Sequence, residues 1–405
     1  MKENIKYLVF SLALLSNIVF FSISSLVGFN FEGSESNSIY SYFCAFLFVA
    51  VLLFVFLDFK KIAKKHLLFL PCVFLFLYLV ESSFCEFNRN QQELMQQSIR
   101  CFIAFSVPCI FVAIDLASTK RVEKIFPWID AIAFIISIGC LLTLPKLLIS
   151  GTIEYGGSNY QQLSYNAAFG YSVLLYNALT GNEYRLDFLK NKIVSVISLL
   201  LIFSCIVCVL SSGGRGGFAL MMLNTLYLLY CKRKSFISIK SAISIISIII
   251  IIFYFVDFSV FKELIDFGFE RIKDTFFSNG GSAISKSGRD EVYDLALKYI
   301  SENPLGYGFF RSYAVMGNYP HNFFLEILMD GGYLLLVLCF FFMIFLYKKS
   351  RKIIKNGFDI TFLIIMSSYP IVMLQFTSTF MWVGLFWFIV IYILCYDIRS
   401  MNIHR

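Results

Sequence analysis

Apolar residues run along this chain in blocks broken by short polar stretches and by one long one, and the blocks show no alternation of period two. Blocks of about 20 such residues cross the hydrocarbon of a bilayer as helices, and a barrel would need the missing alternation. The pattern predicts twelve spans, at 6–29, 39–58, 66–80, 99–117, 126–149, 161–180, 193–211, 217–231, 241–256, 321–347, 358–375 and 379–396. The fold class is therefore an all-α polytopic membrane protein, with transmembrane helices 1–9 in 1–256, a loop over 257–320 and helices 10–12 in 321–405. The first block is longer than a signal-peptide core and has no clear small-x-small cleavage site, so it is expected to stay as a span.

The long polar stretch is predicted to carry two short helices. In 258–277, Phe261, Leu264, Ile265, Ile272 and Phe276 recur at helical spacing among charged residues, which suits a piece lying on the membrane. The second starts near Arg289, with Ser287 and Asp290 at capping-box spacing, and sets Val292, Ala296, Tyr299 and Ile300 on one face. Pro304, Gly306 and Gly308 end it, and Pro320 suits the first turn of the next helix. On that helix His321 would share a face with Leu325 and Leu328. Glu326 would sit about 140° away, a poor position from which to orient the imidazole.

Charge adds orientation. With both termini cytoplasmic, the inner side collects 23 of the 34 Lys and Arg residues, including the Lys60–Lys65 cluster and the KKSRKIIK run at 348–355. Outside the long loop, which the positive-inside rule exempts, only Arg89, Arg100, Lys146 and Arg215 fall on the far side. The net charge of +8 thus reflects topology and lipid headgroups rather than nucleic acid. Of the 11 cysteines only Cys85 sits in an outer loop, so no disulfide framework is expected. Neither GxxxxGK[ST] nor GxGxxG occurs, which argues against a cytosolic nucleotide-driven reaction, and no cofactor is expected.

Three polar features then reach the outer face together. SSGGRGG (211–217) places Arg215, a bidentate donor, between Gly214 and Gly216 at the start of a span. Backbone freedom and a helix N-terminus there outline a pyrophosphate-sized anion site, although a flexible turn with a snorkelling arginine reads the same way. GTIEYGGSNYQQLSY (151–165) offers Tyr155, Tyr160 and Tyr165 with Asn159, Gln161 and Gln162. Rings and amides suit a sugar, and an interfacial tyrosine belt fits equally. Arg289, Arg311 and His321 lie in or at the end of the long loop. A lone interfacial histidine is more often structural than catalytic, but helix ends and arginines together favour a multiply charged anion such as a lipid pyrophosphate. That group would also be a good leaving group for displacement at an attached sugar.

The order SSGGRGG, then GRDEVYDLALKYISENPLGYG, then PHNFFLEILMDGG resembles the pattern of the O-antigen ligase and Wzy-type polysaccharide polymerase superfamily, over about 210–335. The outer GGSNYQQLSY segment is similar to the polymerase branch. The resemblance implies a GT-C-like membrane glycosyltransferase in the bacterial inner membrane, with its long loop and active site in the periplasm and no metal. It implies that Arg215 and Arg289 bind the undecaprenyl pyrophosphate of a glycan donor. It also implies that His321, paired with Asn322, activates a hydroxyl of the lipid-linked acceptor. Arg311 matches no position of the pattern and remains a secondary substrate-binding candidate, beside Tyr160, Asn159, Gln161, Gly214 and Gly216. Expected partners are the lipid-linked donor and acceptor, membrane lipid and a chain-length regulator. Rival readings are a ligase acting on lipid A core and a transporter of lipid-linked glycan; the latter is disfavoured by the absence of internal repeats or mid-span charges.

Overall fold

The computed structural model describes residues 2–27, 34–62, 88–150, 160–180, 185–231, 289–355 and 361–397. The expected spans 66–80 and 241–256, the amphipathic piece 258–277 and the candidate Asn159 lie outside these residues. Among the described residues the regular structure is entirely helical. The main helices are α1 (Lys2–Leu14), α2 (Ser16–Val27), α3 (Ser34–Leu57), α4 (Arg89–Thr119), α5 (Phe126–Ser150), α6 (Tyr160–Leu179) and α7 (Lys192–Ser212). They continue with α8 (Arg215–Cys231), α9 (Arg289–Glu302), α10 (Ser312–Met316), α11 (Phe323–Lys355), α12 (Thr361–Phe376) and α13 (Gly384–Cys395).

Five helical stretches are long and apolar enough to cross a membrane: Ile39–Leu57, Arg89–Thr119, Val122–Pro145, Lys192–Ser212 and Phe323–Lys355. The block expected as one span at 6–29 is instead two helices bent by 89° at Leu15, a broken span or re-entrant pair that would raise the number to six. The expected count of twelve is not reached among the described residues. At 17, 16 and 12 residues, α8, α12 and α13 are short. Although α6 has 20 residues, it carries Asn, Gln and Ser throughout. It needs no lipid-compatible surface, because it is the axis of the bundle, buried along almost its whole length by α5, α7, α8 and α12.

The polar residues of α6 hold that axis in place. The Asn166 amide donates to Ser22 Oγ (3.3 Å), Asn224 donates to Ser172 (2.9 Å), and Ser368 donates to Asn224 Oδ1 (2.8 Å), which ties α2, α6, α8 and α12 in sequence. Buried amides and hydroxyls that find each other in this way act as glue between helices where lipid gives no hydrophobic drive.

The buried ion pairs gather at the opposite end of the bundle from His321. Lys6 reaches Asp58 (2.5 Å) and Asp115 (2.7 Å), while Arg185 reaches Asp130 (3.0 Å), whose Oδ1 also accepts from Asn177 (2.5 Å). Each buried cation is held by a carboxylate, as burial of charge requires. These contacts close the ends of α1, α3, α4, α5 and α6 on one side, so the starts of α6, α8 and α11 come together on the other.

Candidate functional site

Helix α9 forms because Ala296 and Ile300 bury one face against Met329 of α11, with Tyr299 packed beside them. The chain then turns at Asn303–Gly308 and locks onto α11 through its backbone. Tyr307 N donates to Met329 O (2.7 Å), Gly308 N to Asp330 O (2.8 Å) and Tyr333 N to Pro304 O (3.2 Å). The two glycine motifs read in the sequence are thus the two halves of one interlock. Gly332, at φ +62° and ψ −162°, breaks α11 there, and a methyl group on it would overlap Pro304 O. Only glycine readily takes that backbone conformation.

The interlock fixes Arg289, the first residue of α9. Its guanidinium is in electrostatic reach of Tyr165, Tyr319 and His321, and it makes no ion pair among the described residues. The Tyr165 hydroxyl in turn abuts Gly216, where a methyl group would collide with it. Tyr165 therefore joins the start of α8, with the half-buried Arg215, to Arg289. The close approach at Gly214 and Gly216 is to α6, since Ser164 fills the space a side chain would take at Gly214 and donates to Gly214 O (3.1 Å).

His321 does not lie on the helix. It precedes Phe323 and adopts φ +54°, an uncommon backbone for any residue but glycine. Asn322 explains this, because its Oδ1 accepts from Phe324 N (2.9 Å) and Leu325 N (3.2 Å) and so takes the N-cap position. The expected shared face with Leu325 and Leu328 is corrected accordingly. The Tyr319 ring packs on the imidazole with centroids 4.4 Å apart, and Trp382 backs Tyr319 at 5.4 Å. Burial holds the His321 pKa below its ordinary 6.5, the Arg289 charge adds to that, and a hydrogen bond donated by the imidazole to the Thr377 main chain opposes both. The result is a neutral imidazole at neutral pH, with its buried Nδ1 lacking a hydrogen-bond partner. Burial likewise raises the Tyr319 pKa.

Gln161 joins this group through Thr377, whose hydroxyl donates to Gln161 Oε1 (2.9 Å), and Gln161 Nε2 donates to the Tyr160 hydroxyl (3.3 Å). Arg311 is placed differently: it precedes α10, with its Cδ and Nε against Gly308. Glu326, already set aside as a partner for the imidazole, is fully buried and accepts from the Thr379 hydroxyl and from Phe380 N (3.3 Å). It ties α11 to the α12–α13 connection. Thr377, Tyr319 and Trp382 were not among the candidates. Only Tyr319 had a signal, as the aromatic beside Pro320 and His321, since Thr377 acts on His321 through its main chain.

No curated protein and no solved structure matches the chain. The O-antigen ligase family does match, over residues 198–340, a segment that contains Arg215, Arg289 and His321. Over that segment, roughly a third of the chain, the sequence is similar to the O-antigen ligase family, in keeping with the motif order that resembles the ligase and polymerase superfamily.

Proposed function

We propose that this protein polymerises lipid-linked oligosaccharide repeat units, moving the growing glycan en bloc from undecaprenyl pyrophosphate to a hydroxyl of the next lipid-linked repeat. The observation that carries the reading is the meeting of Arg289, the Arg215 end of α8 and a neutral His321 around Tyr165 and Tyr319. In this mechanism Arg215 and Arg289 hold the donor pyrophosphate. The acceptor oxygen bonds to the reducing-end anomeric carbon, the bond from that carbon to the pyrophosphate oxygen breaks, and the acceptor proton passes to His321. The arginines take up the charge that develops on the leaving group, a role that fixed donors fill better than water does. Tyr160, Gln161 and Asn322 line the sugar side, with Arg311 as a more distant contributor. Around this site the proposal sets about twelve spans in a GT-C-like arrangement in the bacterial inner membrane, with both termini cytoplasmic and the site periplasmic. A chain-length regulator is a further partner.

The matched family's own description favours a second reading, a ligase that delivers finished glycan to lipid A core. The outer GGSNYQQLSY segment, with its likeness to polymerases, tips the balance the other way. Purified protein in nanodiscs, given undecaprenyl-pyrophosphate-linked repeats and lipid A core together, separates them by which acceptor gains glycan. His321→Ala is expected to lose about 10²-fold or more in transfer while still binding undecaprenyl pyrophosphate, as removal of a general base does. A full transfer rate in that variant would sink the mechanism.

A further inference from the structure

A cavity of about 450 Å³ opens beside this site, bounded by the α1–α2 break, α3, the start of α4, α12 and the connection to α13. Its size falls among small-ligand sites, which run from about 300 to 1,000 Å³. We infer that it holds the acceptor glycan, a deepening that rests on the transferase reading above.

Three observations carry this. Polar groups without protein partners line the cavity: Asn17 Oδ1 and Trp382 Nε1 are both buried and unpaired, and Arg100, at the exposed edge beside Gln97, forms no ion pair among the described residues. A buried acceptor and a buried donor left unmatched are costly, and sugar hydroxyls, which both donate and accept, would satisfy them together. Aromatic rings supply the apolar part of the lining, with Tyr40 tilted against Phe105 at 5.0 Å and against Phe21 at 6.0 Å. Such rings suit the C–H faces of pyranoses.

The second observation is backbone irregularity at the cavity wall. The 89° break at Leu15 and the π turn of α4 at Phe102–Ser106 both contribute to it, through Leu15, Ser16 and Phe105. π turns are frequent at functional sites.

The third is position. Trp382 is at once a wall of the cavity and the support of Tyr319, which lies on His321. Arg289 acts on His321 and also on Tyr165 of α6, whose hydroxyl abuts Gly216 at the start of α8. Two reactants must meet at the imidazole, and the arginine side suits the pyrophosphate. The cavity side, uncharged but for Arg100, suits the glycan that brings the attacking hydroxyl.

The test measures binding and transfer separately. The probe is the repeat-unit oligosaccharide released by mild acid from the producing cell's lipid-linked intermediates, tritium-labelled and dialysed to equilibrium against the full protein in nanodiscs. Undecaprenyl pyrophosphate is titrated in parallel. Arg100→Ala and Gln97→Ala, both at exposed positions and so compatible with folding, are expected to raise the oligosaccharide Kd at least tenfold and to change undecaprenyl pyrophosphate binding less than twofold. Asn17→Leu, at the buried part of the lining, should do the same. Unchanged oligosaccharide binding in both exposed variants overturns the inference, as does an equal loss of undecaprenyl pyrophosphate binding or the lack of saturable sugar binding to the unmodified protein. If the sugar binds as expected but no glycan is transferred to any acceptor, the transferase reading fails and the cavity stands as a glycan site.

Discussion

The rings of Tyr319 and His321 lie 4.4 Å apart, tilted by 57°, so the imidazole is shielded by an aromatic face while the Arg289 charge acts on it from α9. Burial and that charge both disfavour protonation, and both push the His321 pKa down from 6.5. With His321 as the proposed base, the acid limb of the kcat profile is therefore expected below pH 6.5, because the imidazole stays neutral until the pH falls through its depressed pKa. Arg289→Gln removes one of the two depressing influences, so the limb should move upward even as activity falls. With only three histidines in the chain, the His321 resonance in ¹³C-histidine-labelled protein gives the same pKa without turnover. A pKa that fell in Arg289→Gln would contradict the electrostatic account.

Gly332 and Gly317 both have positive φ, at +62° and +69°, but their surroundings differ. A methyl group on Gly332 would overlap the backbone of Pro304 and Leu305, whereas nothing lies within 4 Å of one on Gly317. Gly317→Ala should cost about 1–2 kcal/mol from the left-handed backbone alone. Gly332→Ala should cost more, since it adds an overlap to a backbone conformation essentially confined to glycine. It should also depress activity, because the interlock that orients α9 would have to open. Thermal unfolding of the solubilised variants orders the two, and equal Tm values would show that the interlock carries no weight.

Gly216→Ala is expected to destabilise the protein strongly on its own, because Tyr165 cannot withdraw from a buried position against α8. Tyr165→Ala leaves a cavity and should cost about 3–5 kcal/mol. In the double variant the added methyl group has room, so the two losses should fall short of additive, as coupled neighbours do. Additive Tm losses would mean that the contact between α6 and α8 is looser than described.

Much of this arrangement was legible in the chain. The apolar run at 126–149 and the helix found at Phe126–Ser150 agree to within a residue at each end, as do 193–211 and Lys192–Ser212, because a span's length is set by the bilayer and its ends by polar residues. The face of α9 followed from helical spacing. The bend at Leu15 did not, since neither glycine nor proline marks it and Ser16 and Asn17 are only a brief polar interruption of the apolar run. The backbone of His321 was hidden for a different reason. Pro320 suits a helix start, but Asn322, two residues later, takes the cap and leaves the histidine outside. Thr377 and Trp382 come from a connection far along the chain, and only the packing of α12 and α13 brings them near.

The π turn in α4 has a consequence for how such a protein diversifies. A π turn accommodates one more residue than an α turn, so the Arg89–Cys101 segment is rotated by about 100° from where an unbroken helix would carry it. Gln97 and Arg100 stand at the cavity edge because of that single extra position. Removing or adding one residue in 102–106 would turn a different set of side chains toward the opening while Val107–Thr119 kept its packing. The lining of the proposed glycan cavity can thus drift by insertion and deletion while the proposed site around His321 stays fixed.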